Sequence, residues 1–195
     1  MKKYLSRFST LAFFVSSTAL AATSAANDSS TATLDFSGKV TSSLCQVSTD
    51  DLSKSINLGE ISATALNSNG KSPAQSFSVV LNNCATDTGD INYVFSDANG
   101  SSDKATYLQP TVGDTSASGV GVYLAKSDGT AVNIGETVTL DVIKGTDGAS
   151  ALPQQTIPLQ AYIGKTSSNA TVTPGTVNAN AIMTIRTVAA STGNP

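Results

Sequence analysis

Cys45 and Cys84 are the only cysteines of this 195-residue chain, and the chain contains no histidine. The missing imidazole removes the commonest general base, the Ser-His-Asp triad, the Cys-His pair and most zinc sites together. Two cysteines on their own can stay as thiols or form one bridge, and the N-terminus decides between these. Lys2, Lys3 and Arg7 precede an apolar stretch, Phe8 to Leu20, that ends in the small residues Ala19-Leu20-Ala21. That order reads as a signal peptide cut after Ala21, with Ala25 or Ala26 fitting almost as well. Ser9, Ser16 and Ser17 interrupt the stretch, which is too short to span a bilayer core of about 30 Å. An exported chain meets an oxidising compartment, so a Cys45–Cys84 disulfide is expected. Closing a loop of about 40 residues stabilises a fold by roughly 4 kcal/mol on the chain-entropy account.

A carboxylate pair could still do acid–base work. However, Asp87, Asp90, Asp97, Asp103, Asp128, Asp141 and Asp147 mostly fall in predicted turns, where aspartate is favoured for local hydrogen bonding. Asp97-Ala98-Asn99-Gly100-Ser101-Ser102-Asp103 lacks the ligand spacing and closing glutamate of a calcium loop, and reads as a plain turn. Asn69-Gly70-Lys71-Ser72 imitates the end of a phosphate-binding loop, but Ala65 stands where its first glycine should be, so it reads as a surface turn. No catalytic, cofactor or metal site is expected, and the chain reads as a non-enzyme.

Removing Met1 to Ala21 takes away three basic residues and no acidic one, so the net charge goes from −3 to −6. An acidic chain without a Lys/Arg cluster has no means of neutralising phosphates or anionic lipid, which argues against nucleic acid and membrane surfaces as partners. About 174 residues remain, enough for one domain with a sizeable core.

The elements that must hold these residues are strands. Val, Ile, Thr, Leu and aromatics recur in short runs at 34–41, 55–58, 77–81, 91–95, 120–125, 137–142, 156–163 and 181–188, with turn signals such as Ser127-Asp128-Gly129 and Pro174-Gly175 between them. No helical segment of useful length stands out. In the first run Leu34, Phe36 and Val40 alternate with Asp35, Ser37 and Lys39, as in a sheet with one buried face. This many short strands predict an all-β fold of two antiparallel sheets packed face to face, with a closed barrel as the alternative. Pro158 inside its run predicts an edge or a bulge. Residues 22–31 are small and polar, and a similar tail spans 189–195.

Several pieces, in order along the chain, resemble the type 1-like fimbrial subunits of the chaperone-usher family. These are Phe36-Ser37-Gly38-Lys39-Val40 leading to Cys45, Ile56-Asn57-Leu58-Gly59, Leu81-Asn82-Asn83-Cys84, Gly119-Val120-Gly121-Val122, Ile157-Pro158-Leu159-Gln160-Ala161, and residues 173–179. The resemblance implies an incomplete immunoglobulin-like β-sandwich that lacks its final strand and is completed by a donor strand from a neighbouring subunit. It implies a signal peptide at 1–21, a donor-strand extension at 22–35 and a pilin domain at 36–188, followed by the polar tail. Ala32, Leu34 and Phe36 would be the donor positions. Ile182, Ile185 and Thr187 would line the groove and pair with the chaperone. The implied partners are other fimbrial subunits, a periplasmic chaperone, an outer-membrane usher and, through the assembled pilus, a host receptor. The implied role is a structural pilus subunit supporting cell adhesion, with a minor or tip adhesin as the alternative. Two features depart from the family pattern: the outer donor positions Ser30 and Asp28 are polar, and Thr187 stands where an aromatic is usual.

Overall fold

The computed structural model describes residues 45–100 and 104–190. In chain order the elements are β1 (Gln46–Val47), a 3-10 turn (Thr49–Asp51), α1 (Ala63–Asn69), β2 (Gln75–Asn82), β3 (Thr88–Asp97), β4 (Val120–Lys126), β5 (Ala131–Val132), β6 (Val138–Asp141), β7 (Gln155–Lys165) and β8 (Ala181–Ala189). Every strand pairing is antiparallel. A five-stranded sheet runs β1-β2-β7-β4-β5, and a three-stranded sheet runs β6-β3-β8.

The two sheets meet through alternate residues. Ile91, Tyr93 and Phe95 of β3 face Ile157, Leu159 and Ala161 of β7, with Val79 and Leu81 of β2 and Val122 and Leu124 of β4 in the same core. Burial along these strands follows the period of two expected of a sheet with one covered face. The Cys45–Cys84 disulfide joins the residue before β1 to a residue just past β2. It anchors a pairing of only two residues, Gln46 with Asn82 and Val47 with Leu81.

Four expectations about the fold need correction. Residues 55–58 form no regular strand among the described residues. A short helix, α1, does exist. Ser62 caps its start by accepting from the Ala65 N–H at 3.1 Å. Gly70 ends it in the left-handed region, at φ 80°, with its N–H on the Leu66 carbonyl at 2.8 Å. Leu66 is the helix's one buried residue, too little to print a helical period on the sequence. The supposed surface turn at Asn69-Gly70-Lys71-Ser72 is thus a helix end running into the fold, where buried Ser72 accepts from the Ile163 N–H at 3.0 Å.

Pro158 lies in β7, a central strand, not at a sheet edge. Its place is still physically sound. The Val80 carbonyl accepts from the Ser48 N–H, so Val80 and Ser78 turn their main-chain groups away from β7. Pro158, opposite Ser78, then directs its nitrogen toward β4. There the ladder has already ended at Leu159, paired with Lys126, and no strand hydrogen bond is lost.

The outer face of the large sheet carries a row of rings. Tyr123 and Tyr162 stand directly opposite each other on β4 and β7, stacked with centroids 5.4 Å apart, and Tyr107 leans on Tyr123 at 5.5 Å. The rings lie close to the backbone because two positions have no Cβ: Gly164 sits under the Tyr123 ring and Gly121 under Tyr107.

Candidate functional site

β8 is hydrogen-bonded to β3 on one side only, among the described residues. It pairs with β3 from Ala181 against Asp97 to Ala189 against Thr88, with one irregularity near Gly89. None of its residues is fully buried, in contrast to β3 and β7. Its inward face offers Met183, Ile185 and Thr187, all half-buried, and Met183 and Ile185 touch the core from its rim.

Beside this strand the two sheets part over a cavity of about 1180 Å³. Its floor includes Val79, Phe95, Val122 and Ala161, which belong to the core itself. One wall is β8 and the other is the irregular segment 52–61, from which Leu58 reaches the core. Leu66, Val120, Ile163 and Val172 form a second apolar cluster, and all four also line the cavity. A groove of this size with an apolar floor, between the outer edge of β8 and a segment in no sheet among the described residues, has the chemistry of a strand-binding site.

The expected groove residues are not all brought together. Ile182 and Ile185 both line the cavity and Thr187 shares the inward face of β8 with Ile185, but Ile182 lies three residues from Ile185 and so on the opposite face, 63% exposed at the groove's rim. Met183, two residues from Ile185, takes the inward place that the sequence reading gave to Ile182. Counting in twos from Ile185 would have found it. Ala32, Leu34 and Phe36 lie outside the described residues, as do the expected signal peptide and donor-strand extension, residues 1–35. The tail begins later than residue 189: Ala189 ends β8, and the Ala190 N–H donates to the Asp87 carbonyl at 2.6 Å.

Three of the carboxylates that could have suggested catalysis, Asp97, Asp128 and Asp147, accept from nearby main-chain groups. Asp97 accepts from the N–H groups of Asn99 and Gln109 at 2.9 and 2.6 Å. Thr130 donates to Asp128, and this backbone bond is the main reason the Asp128 carboxyl sits below its usual range. Asp147 is lowered by Ser150 first and by the Ala149 N–H next. These are turn contacts.

The sequence profile described as "Fimbrial protein" matches residues 34–187. The chain belongs to the fimbrial protein family. It is similar to "Fimbrial protein 987P" of Escherichia coli, 48% identical over all of this chain and 99% of that protein. It is also similar to "Type-1 fimbrial protein subunit" of Serratia marcescens, 31% identical over 85% of this chain and 92% of that one. Among solved structures, this fimbrial subunit shares its fold with a chain of a chaperone-usher pilus studied for rod uncoiling. That match has a TM-score of 0.59 and 22% identity, and covers 80% of this chain and 94% of the other. The P pilus rod subunit PapA is similar at TM-score 0.56 and 20% identity, over 74% and 99%. The fold is thus the incomplete immunoglobulin-like sandwich. As a fimbrial structural subunit the chain works at the cell surface with other fimbrial subunits as partners, and it is not an enzyme.

Proposed function

We propose that the subunit polymerises by taking a β-strand from its neighbour into the groove beside β8. The observation that carries this is the coincidence of a strand edge that no other described strand covers with a cavity whose floor is apolar and which is lined from both sheets. Left open to water, such a surface would drive aggregation, and a borrowed strand relieves both defects together. In the periplasm a chaperone lends the first strand. At the outer-membrane usher, residues 22–35 of the next subunit replace it, with Ala32, Leu34 and Phe36 presented at strand period. Ile185 and Thr187 would pair with both occupants, together with Met183. Through the assembled filament the subunit supports adhesion to a host surface.

Deleting residues 22–32 tests the reading. The truncated subunit should still be recovered with chaperone but should not be passed to the next subunit, so heat-resistant ladders on mild denaturing gels should vanish. Normal filaments from the deletion would sink strand donation.

A further inference from the structure

After β1 leaves β2, side chains take over as the partner of the β2 edge. The Ser48 N–H donates to the Val80 carbonyl at 2.8 Å, the last main-chain bond of that edge. The Val80 N–H then donates to Asp51 Oδ2 at 2.6 Å. Asp51 Oδ1 pairs with Lys54 Nζ at 2.6 Å, and the same ammonium donates to the Ser78 carbonyl at 2.5 Å. One carboxylate and one ammonium thus stand in for the N–H and C=O groups of a missing strand. The Asp51 side chain is 6% exposed. A carboxylate with so little access to water depends on both partners to satisfy its oxygens.

The segment just past Lys54 gives this pair its importance. Among the described residues, no backbone–backbone hydrogen bond ties residues 53–61 to the rest of the molecule. Yet these residues form the groove wall that faces β8. The Asp51–Lys54 pair is the polar tether at the start of that wall, and the Ser62 cap of α1 fixes its end.

We propose that Asp51 and Lys54 are positioning residues for strand uptake: by clamping the chain to the edge of β2 they hold the second wall of the groove in place before a strand arrives. A wall already ordered costs the incoming strand less conformational entropy than one that must order around it. The inference rests on the strand-uptake reading above.

Fimbriae assembled from Asp51→Asn, Lys54→Met and Lys54→Arg chains test it, read by their rate of dissociation into monomers and by amide hydrogen exchange. Loss of a charge-assisted contact should speed dissociation by about tenfold for Asp51→Asn and Lys54→Met. Lys54→Arg should restore the wild-type rate. Exchange should quicken in residues 53–61 while the β2–β7 ladder keeps its protection. Wild-type rates in both disruptive variants would overturn the clamp. So would loss of protection spread through β2, β7 and β4, which marks a general stabilising role. If deletion of residues 22–32 leaves assembly intact, the strand-uptake reading fails first and takes the clamp with it. If that deletion abolishes assembly and the variants behave as wild type, only the clamp fails.

Discussion

Gln155 grips Ile143 at both of its main-chain groups: the Ile143 N–H donates to Gln155 Oε1 at 2.7 Å, and Gln155 Nε2 donates to the Ile143 carbonyl at 2.8 Å. The same Nε2 donates to the Leu152 carbonyl at 2.9 Å, so one fully buried amide closes the loop between β6 and β7. Gln155→Met fills similar volume but orphans two backbone groups, the Ile143 N–H and the Leu152 carbonyl, while the Ile143 carbonyl keeps the Leu152 N–H; the cost is about 1 to 3 kcal/mol for each one that water does not reach. A lower urea midpoint with an unchanged slope is the expected result.

The two faces of β8 should respond oppositely to charge. Ile185→Asp places a carboxylate against the core and should cost several kcal/mol, abolishing recovery of a chaperone-bound subunit. Ile182→Asp, on the exposed face, should change stability by about 0.5 kcal/mol or less. Pull-down yields of the two variants with the chaperone give the comparison, and equal yields would refute the face assignment.

Gly164→Ala should disturb the tyrosine row. An added Cβ would meet the Tyr123 ring at 2.7 Å and push it off the bond its hydroxyl donates to the Lys165 carbonyl, also 2.7 Å long. Overpacking of this kind costs about 1 to 3 kcal/mol. Tyr123→Phe, which loses only the hydroxyl, should cost about 1 kcal/mol. Thermal unfolding should rank the two in that order.

Stability should fall in acid partly through Asp51. Its carboxyl is held below the ordinary aspartate value, first by the Lys54 hydrogen bond and then by the Val80 N–H. Asp50 is the other charged neighbour in sequence, and β2 carries no titratable side chain. Because the folded value is the lower one, the contribution is fully present above about pH 4 and is lost as pH falls through the folded value. Asp51→Asn should flatten that part of the stability profile while leaving the profile above it parallel to wild type.

Cys45→Ser with Cys84→Ser should lower stability by about 4 kcal/mol, because the open chain gains the freedom of the loop that the bridge closes. Alkylation of the unreduced wild-type protein should label no thiol.

The amino-acid sequence by itself determined the class of this protein. The runs at 91–95 and 156–163 are rich in Val, Ile, Leu and aromatics and bounded by turn signals, so the strands of the two-sheet core were legible, and their burial at Ile91, Tyr93, Phe95, Ile157, Leu159 and Ala161 follows the strand period. Absence of histidine, the signal-like N-terminus and two lone cysteines likewise needed no coordinates to argue for a bridged, non-catalytic secreted chain. Everything that depends on contacts between distant segments was decided only in three dimensions. The run at 55–58 has strand composition but joins no sheet among the described residues, because a strand is defined by its neighbour and this run borders the groove instead. Pro158 sits in a central strand because the β4 ladder stops one residue short of it, a matter of register that no local pattern carries. Helix α1 buries one leucine and depends on Ser62 and Gly70, too short a signal to read. In the sequence Asp51 and Lys54 are two opposite charges three residues apart, with no mark of a role. Their tie to Ser78 and Val80 exists only because β1 ends after two residues and leaves that edge of β2 for side chains to cover.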